Sequence, residues 1–190
     1  RFRPKLKSYG KKENIRVGKK YEDKLCLVLE GMVYLCVEND DCERSILGYF
    51  KRGDFISHGM LLPEEQGVSY FIAKKAATVA YFDKAELIKY MTSDDEHIAR
   101  LFDGIISQLA RPPLSHGFIL QQKTIRGKLT YYFKAERQKQ QDEVIKIPLP
   151  YSDLAEYLGV DRSAMMKELT KMKNEGLISG EKHELRLNFG

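Results

Sequence analysis

The side chains with the most to offer chemically lie near the C-terminus. Arg162, Ser163, Met166 and Lys167 fall on one predicted helix, and a period of three to four residues gathers them on its outer face. An arginine fork pairs with two acceptors on a guanine edge. A serine hydroxyl donates or accepts, and a lysine one turn on reaches a base or a phosphate. Lys171, Lys173 and Lys182 are placed to neutralise phosphates, and Tyr151, Ser152 and Thr170 add hydroxyls suited to the same oxygens. Such a set fits contact with DNA. On one helix alone, however, a charged solvated face is the ordinary fate of these residues. The case rests on the elements around them.

Other chemistry is thinly represented. Cys26, Cys36 and Cys42 make an odd count with no Cys-x-x-Cys pair, so no disulfide framework is expected and a reducing cytoplasm is the simplest home. Cys26 and Cys36 fall in apolar strands as small core residues, and Cys42, in a polar turn, is the more reactive thiol. His58 stands apart from His97, His116 and His183, which excludes a converging metal site and leaves it a choice between a haem or anion ligand and a structural role. Tyr34, Tyr49, Tyr70 and Phe71 suit either a pocket lining or a core. No Gly-rich phosphate loop or nucleophile motif is present, and no enzyme is expected.

Composition sets the outer bounds. The chain has 190 residues, 43% of them hydrophobic, enough for a packed core in one large or two small domains. A formal charge of +5 permits nucleic-acid binding without demanding it. No apolar run approaches the ~20 residues of a membrane helix, so no membrane partner is expected. No signal-peptide core follows Arg1-Phe2-Arg3-Pro4-Lys5, and the sequence opens without Met.

The elements that must hold the reading face are readable locally. Pro150 opens a short helix, Tyr151 to Leu158, with Leu154, Ala155 and Leu158 inward. Gly159 suits a left-handed cap, Val160 the turn, and Asp161 the N-cap of a second helix that Gly176 stops. Met165, Leu169 and Met172 form that helix's buried stripe. Leu177 to Leu187 reads as a hairpin. Helix, tight turn, helix and hairpin make a winged helix-turn-helix. Ile145 to Ile147 reads as a strand before it, and Thr124 to Gln140 as a helix bearing Ile125, Leu129, Tyr132 and Phe133.

The N-terminal half alternates short strands with turns: Leu25 to Leu29, Met32 to Val37, Ile46 to Phe50, Val68 to Ala73 and Ala77 to Phe82. That spacing predicts an antiparallel barrel or roll. Asp83 to Met91 reads as a helix. Glu96 to Ala110 reads as a longer one with Ile98, Leu101, Phe102, Ile105, Ile106 and Leu109 on one stripe, buried against a partner chain or against the roll itself. Pro112-Pro113 interrupts it, and Leu114 to Leu120 resumes it.

The stretch from Asp153-Leu154-Ala155-Glu156-Tyr157-Leu158-Gly159-Val160-Asp161-Arg162-Ser163-Ala164 to Met172-Lys173-Asn174-Glu175-Gly176-Leu177-Ile178 resembles the CRP/FNR family of bacterial transcription regulators. Thr124-Ile125-Arg126-Gly127-Lys128-Leu129 is similar to that family's entry into its DNA-binding domain. Leu29-Glu30-Gly31-Met32-Val33 and Arg52-Gly53-Asp54-Phe55 are similar to its cyclic-nucleotide-binding-type roll. The resemblance implies an α+β chain in three parts: an effector-sensing roll with flanking helix over 1–93, a central dimerisation helix region over 94–123, and a winged helix-turn-helix over 124–190. It implies a homodimer joined along Ile98, Leu101, Phe102, Ile105 and Leu109, reading a pseudo-palindromic double-stranded operator through Arg162, Ser163, Met166 and Lys167. It also implies an effector pocket near Phe55, Ser57, His58, Met60, Ser69 and Tyr70.

Two departures bear on the effector. Phosphate-binding members carry a Gly-Glu pair and a later Arg-Ser or Arg-Thr, whereas this chain reads His58-Gly59-Met60 and Val68-Ser69-Tyr70. With no arginine fork there, cyclic AMP is not expected. From Arg1 onward there is also no cysteine cluster of the kind that iron–sulfur members carry near the N-terminus, and a stretch ahead of Arg1 leaves that point open. The effector itself stays unknown, either a small molecule or a redox signal. The alternative is a sensor module that signals through protein contacts without specific DNA binding.

Overall fold

A computed structural model describes residues 3–17, 21–61, 68–91, 100, 103–105 and 112–189. The chain divides into two compact units, residues 1–113 and 114–190.

The first unit is an antiparallel roll. Its strands are β1 (Lys5–Tyr9), β2 (Asn14–Ile15), β3 (Lys24–Glu38), β4 (Arg44–Lys51), β5 (Phe55–Ser57) and β6 (Val68–Asp83), followed by helix α1 (Lys84–Met91). They form one six-stranded sheet in the order β1-β6-β3-β4, with β2 paired to β6 and β5 to β3. The two longest strands run side by side from Lys24 opposite Asp83 to Glu38 opposite Val68.

Here the structure corrects the sequence reading. The four segments read as separate strands, 25–29 with 32–37 and 68–73 with 77–82, are two long strands. Glu30-Gly31 and Lys74-Lys75 do not reverse the chain. The register of β3 against β6 shifts between Val28 and Val33, so the strands bend there through bulges. Gly31 allows this: its φ is +84°, and a Cβ would stand 2.2 Å from the Ala76 carbonyl oxygen.

The bend wraps the sheet around Tyr9, Ile15, Val17, Cys26, Val28, Val33, Phe50, Ile56, Phe71 and Val79, all buried. A smaller cluster outside it joins Leu25, Leu87 and Ile105, with Phe55 and Phe82 against them. Of the predicted helix 96–110, Arg100 and residues 103–105 are described and helical. Ile105 is buried on its own roll. Ile98, Leu101, Phe102, Ile106 and Leu109 lie outside the described residues.

The second unit contains α2 (Pro112–Gln121), α3 (Ile125–Gln140), β7 (Val144–Lys146), α4 (Tyr151–Leu158), α5 (Arg162–Asn174), β8 (Ile178–Glu181) and β9 (Glu184–Leu187). The two prolines open α2, where the first helical amides lack partners in any case, so proline costs little. The unit begins at Leu114, earlier than the Thr124 read from sequence. The reason is packing: His116 and Ile119 of α2 are buried, and the His116 imidazole Nε2–H donates to the Tyr157 carbonyl at 2.7 Å. Strands β7, β9 and β8 form a small antiparallel sheet in that order.

Candidate nucleic-acid interface

The helix-turn-helix is built by caps at each corner. Pro150 precedes α4, whose apolar side buries Leu154, Ala155, Tyr157 and Leu158. Gly159 ends it in the left-handed region at φ 59°, and the Val160 amide donates back to the Ala155 carbonyl at 3.0 Å. Asp161 then starts α5 as its side chain accepts from the Ala164 amide at 2.8 Å. At the other end Gly176 takes φ +71°, while the Leu177 amide bonds the Met172 carbonyl at 2.9 Å.

Helix α5 lies on the core through Met165, Leu169 and Met172, all buried. Its other side carries Arg162, Ser163 and Lys167 exposed and Met166 half-buried. The structure therefore gathers the four predicted base readers on one outward face. Arg162, Lys167, Lys171 and Lys173 stand against Glu168 alone on this helix, so its charge is strongly basic.

The hydroxyls and lysines predicted for phosphate behave less uniformly. Ser152, Lys171 and Lys182 are exposed, and the Ser152 hydroxyl donates to Asp153 at 3.0 Å. The Thr170 hydroxyl donates to the Met166 carbonyl at 3.0 Å, as helix-interior threonines do. The Tyr151 hydroxyl donates to the Lys182 carbonyl in the hairpin turn. Each of these hydroxyls has one hydrogen and spends it internally, so none is left for a phosphate oxygen in this arrangement. Lys173 likewise donates to the Gly180 carbonyl at 2.8 Å.

Sequence reasoning missed a brace behind α5. Arg126, in the first turn of α3, donates from Nε to Glu168 at 2.5 Å and from both terminal nitrogens to Glu175 at 2.7 and 2.9 Å. This pairing draws the Glu175 carboxyl below its ordinary pKa and raises that of the guanidinium. Two residues on, Lys128 donates to the Leu158 and Gly159 carbonyls at the helix-turn-helix corner. Thr124 caps the same turn by accepting from the Gly127 amide at 3.0 Å. The segment Thr124 to Lys128 thus holds both the corner and the flank of α5. Its residue types were visible, but the partners of Arg126 and Lys128 lie 30 to 49 positions away.

The predicted effector residues are not drawn together by the strand registers. Ser57 pairs opposite Leu25, at one end of β3, whereas Tyr70 and Ser69 pair opposite Cys36 and Val37, at the other. Phe55 packs with Leu25, Leu87 and Ile105, while its neighbour Ile56 faces the main core, as strand alternation requires. His58 faces Glu22 at 3.7 Å, Met60 packs against the main core, and the Tyr70 hydroxyl donates to Glu38 at 3.3 Å. Among the described residues no group of three or more His, Cys, Asp or Glu is arranged to hold a metal ion. Nor is any helix among them long and apolar enough to cross a membrane.

Comparison with known proteins agrees with this geometry. A Crp-like helix-turn-helix domain matches residues 118–188, and a cyclic nucleotide-binding domain matches residues 6–94. The chain belongs to the CRP/FNR family of transcription regulators. It is 26% identical over 157 residues to the nitrogen fixation regulation protein FixK of Bradyrhizobium diazoefficiens, covering 80% of this chain and 65% of that protein. The solved structure of FixK2 from Bradyrhizobium japonicum matches with a TM-score of 0.70 at 19% identity, over 98% of this chain and 93% of that one. A cyclic nucleotide-binding domain containing protein from Listeria monocytogenes matches with a TM-score of 0.78 at 11% identity, over 96% and 88% of the two chains. The family's mixed α+β architecture of sensor roll and helix-turn-helix is the fold described above.

Proposed function

We propose that this CRP/FNR-family chain is a homodimeric, cytoplasmic regulator that reads a pseudo-palindromic DNA operator under control of a small-molecule or redox signal at its roll. One observation carries the reading. Helix α5 is capped at both ends and buried through Met165, Leu169 and Met172, which leaves Arg162, Ser163, Met166 and Lys167 facing outward together. A helix held rigidly by its back and presenting a donor-rich N-terminal half suits the major groove. Lys171 and Lys182 supply phosphate contacts beside it.

Dimerisation runs along the central region through Ile98, Leu101, Phe102 and Leu109. Ile105 serves the roll instead. Cyclic AMP is not the proposed effector: around Ser57 to Met60 and Val68 to Ala73 no arginine offers a fork for a cyclic phosphate.

The test is selection of bound fragments from random and genomic DNA, followed by affinity measurements against salt. A two-fold symmetric site bound far above random DNA is expected. Arg162→Ala should then cost about 1–3 kcal/mol on that site and relax one base position. Equal loss on specific and random DNA would remove Arg162 from the base readers. Sequence-blind binding by a folded dimer, with and without cell extract as an effector source, would favour signalling through protein contacts instead.

A further inference from the structure

We propose that Tyr151 is a positioning residue for the hairpin wing, holding the Lys182-His183 turn so that Lys182 meets DNA, and is not itself a phosphate ligand. The inference rests on the reading that α5 and the wing face DNA.

Tyr151 is the first residue of α4, remote in sequence from the wing, yet it touches the turn twice. Its hydroxyl donates to the Lys182 carbonyl. Its ring stacks on the His183 imidazole, with centroids 4.7 Å apart and planes 20° from parallel. A third tie comes from the other side, where the Ile147 amide donates to the His183 carbonyl at 2.7 Å. The turn is therefore anchored to the start of α4 and to the end of β7.

The turn needs such anchors. Lys182 has φ +50°, a left-handed conformation that a lysine holds only when its surroundings impose it. Gly180, just before it, has φ +112°, and a Cβ there would stand 2.3 Å from the Glu184 carbonyl oxygen, so the hairpin closes tightly. The His183 Nδ1 is buried and has no hydrogen-bond partner among the described residues. The imidazole thus works as a flat surface for the tyrosine. With backbone and ring fixed, the Lys182 side chain stays exposed. Because the phenol has a single hydrogen and gives it to Lys182, Tyr151 acts on DNA through the lysine.

The experiment uses the full chain, a duplex recovered by the selection described above, and a random duplex of equal length. Tyr151→Phe, Lys182→Ala and the double variant are titrated over a range of salt. Loss of the hydroxyl alone should weaken operator binding about 3- to 10-fold, the value of one neutral hydrogen bond. On the Lys182→Ala background the same change should cost less than about twofold, since it acts through a side chain already gone. His183→Phe should keep wild-type affinity, while His183→Ala should behave like Tyr151→Phe. Multiplying losses, or a salt slope that drops further when Tyr151→Phe is added to Lys182→Ala, would make Tyr151 a direct phosphate contact and overturn the proposal.

A second readout needs no DNA. Amide exchange at Ile147 should accelerate in Tyr151→Ala, because its acceptor His183 is released. Unchanged exchange would refute the anchoring even if no operator exists. Accelerated exchange in a protein that selects no site would instead leave the anchor standing and refute the DNA reading.

Discussion

Asp161 offers the sharpest test of how the reading helix is held, because it acts on stability and DNA binding with opposite signs. Its carboxylate accepts from the Ala164 amide at 2.8 Å. Removing an N-cap of this kind costs about 1 kcal/mol. The lost negative charge at the helix N-terminus adds about 0.3–1 kcal/mol. Asp161→Ala should therefore destabilise the C-terminal unit by about 1.5 kcal/mol, or about 6–12 °C in its melting temperature for a domain of this size. Asp161→Asn keeps the acceptor and loses only the charge, so its shift should be about 2–4 °C. The assay is thermal unfolding of the full chain by circular dichroism and calorimetry. On random DNA both variants should bind more tightly than wild type, since a carboxylate beside Arg162 and Ser163 repels phosphates. Equal melting shifts for Ala and Asn would refute the capping bond as the origin. A fall in random-DNA affinity would refute the placement of Asp161 beside the phosphates.

Three further outcomes follow from contacts already described. Arg126→Gln should lower operator affinity more than random-DNA affinity, with the salt slope unchanged, because Arg126 spends its donors on Glu168 and Glu175 and braces α5 through them. Since Glu175 is held below its ordinary pKa, the stability difference between wild type and Arg126→Gln should persist at neutral pH. It should vanish as pH falls through that lowered value, as urea titrations at graded pH would reveal. His116 is buried and its pKa is lowered by that burial, so unfolding takes up a proton in the ordinary histidine range. Stability of the C-terminal unit should decline on acidification through that range, and the decline should be absent in His116→Gln. Gly31→Ala forces a Cβ to 2.2 Å from the Ala76 carbonyl at a positive φ and should cost at least about 2 kcal/mol, measurable as a lower urea midpoint for the roll.

What the sequence discloses about this chain divides by range. Pro150, Gly159, Asp161 and Gly176 act on neighbours within one helical turn, and the Met165, Leu169, Met172 stripe is a local period. Helix α5 was therefore legible with its boundaries. The bends of β3 and β6 were not. Glu30-Gly31 carries a turn-type glycine and Lys74-Lys75 breaks an apolar run, and only the distant partner strand shows that both sites bulge instead. The same limit hid the ties from Arg126 to Glu168, from Lys128 to Leu158, and from Tyr151 to the wing. The residues were plain, but nothing in their spacing says which remote group each one meets. The role of His116 was not legible, because its acceptor is a backbone carbonyl, which no motif records. The effector residues show the same limit. They were drawn from two sequence stretches, which the registers place at opposite ends of β3.

The pairing of β1 with β6 also governs how the molecule comes into being. Lys5 sits opposite Tyr81 and Tyr9 opposite Ala77, so nearly the whole roll must be made before its first strand finds a neighbour. Closing so long a loop slows folding, while the helices of the C-terminal unit draw much of their order from nearby residues. Refolding should then show a fast helical phase and a slower sheet phase. On the ribosome, β1 emerges early with Leu6 uncovered, and even in the finished fold that side chain is 64% exposed. Until β6 arrives the nascent chain offers a sticky, unpaired edge, which is where chaperones would be expected to engage it.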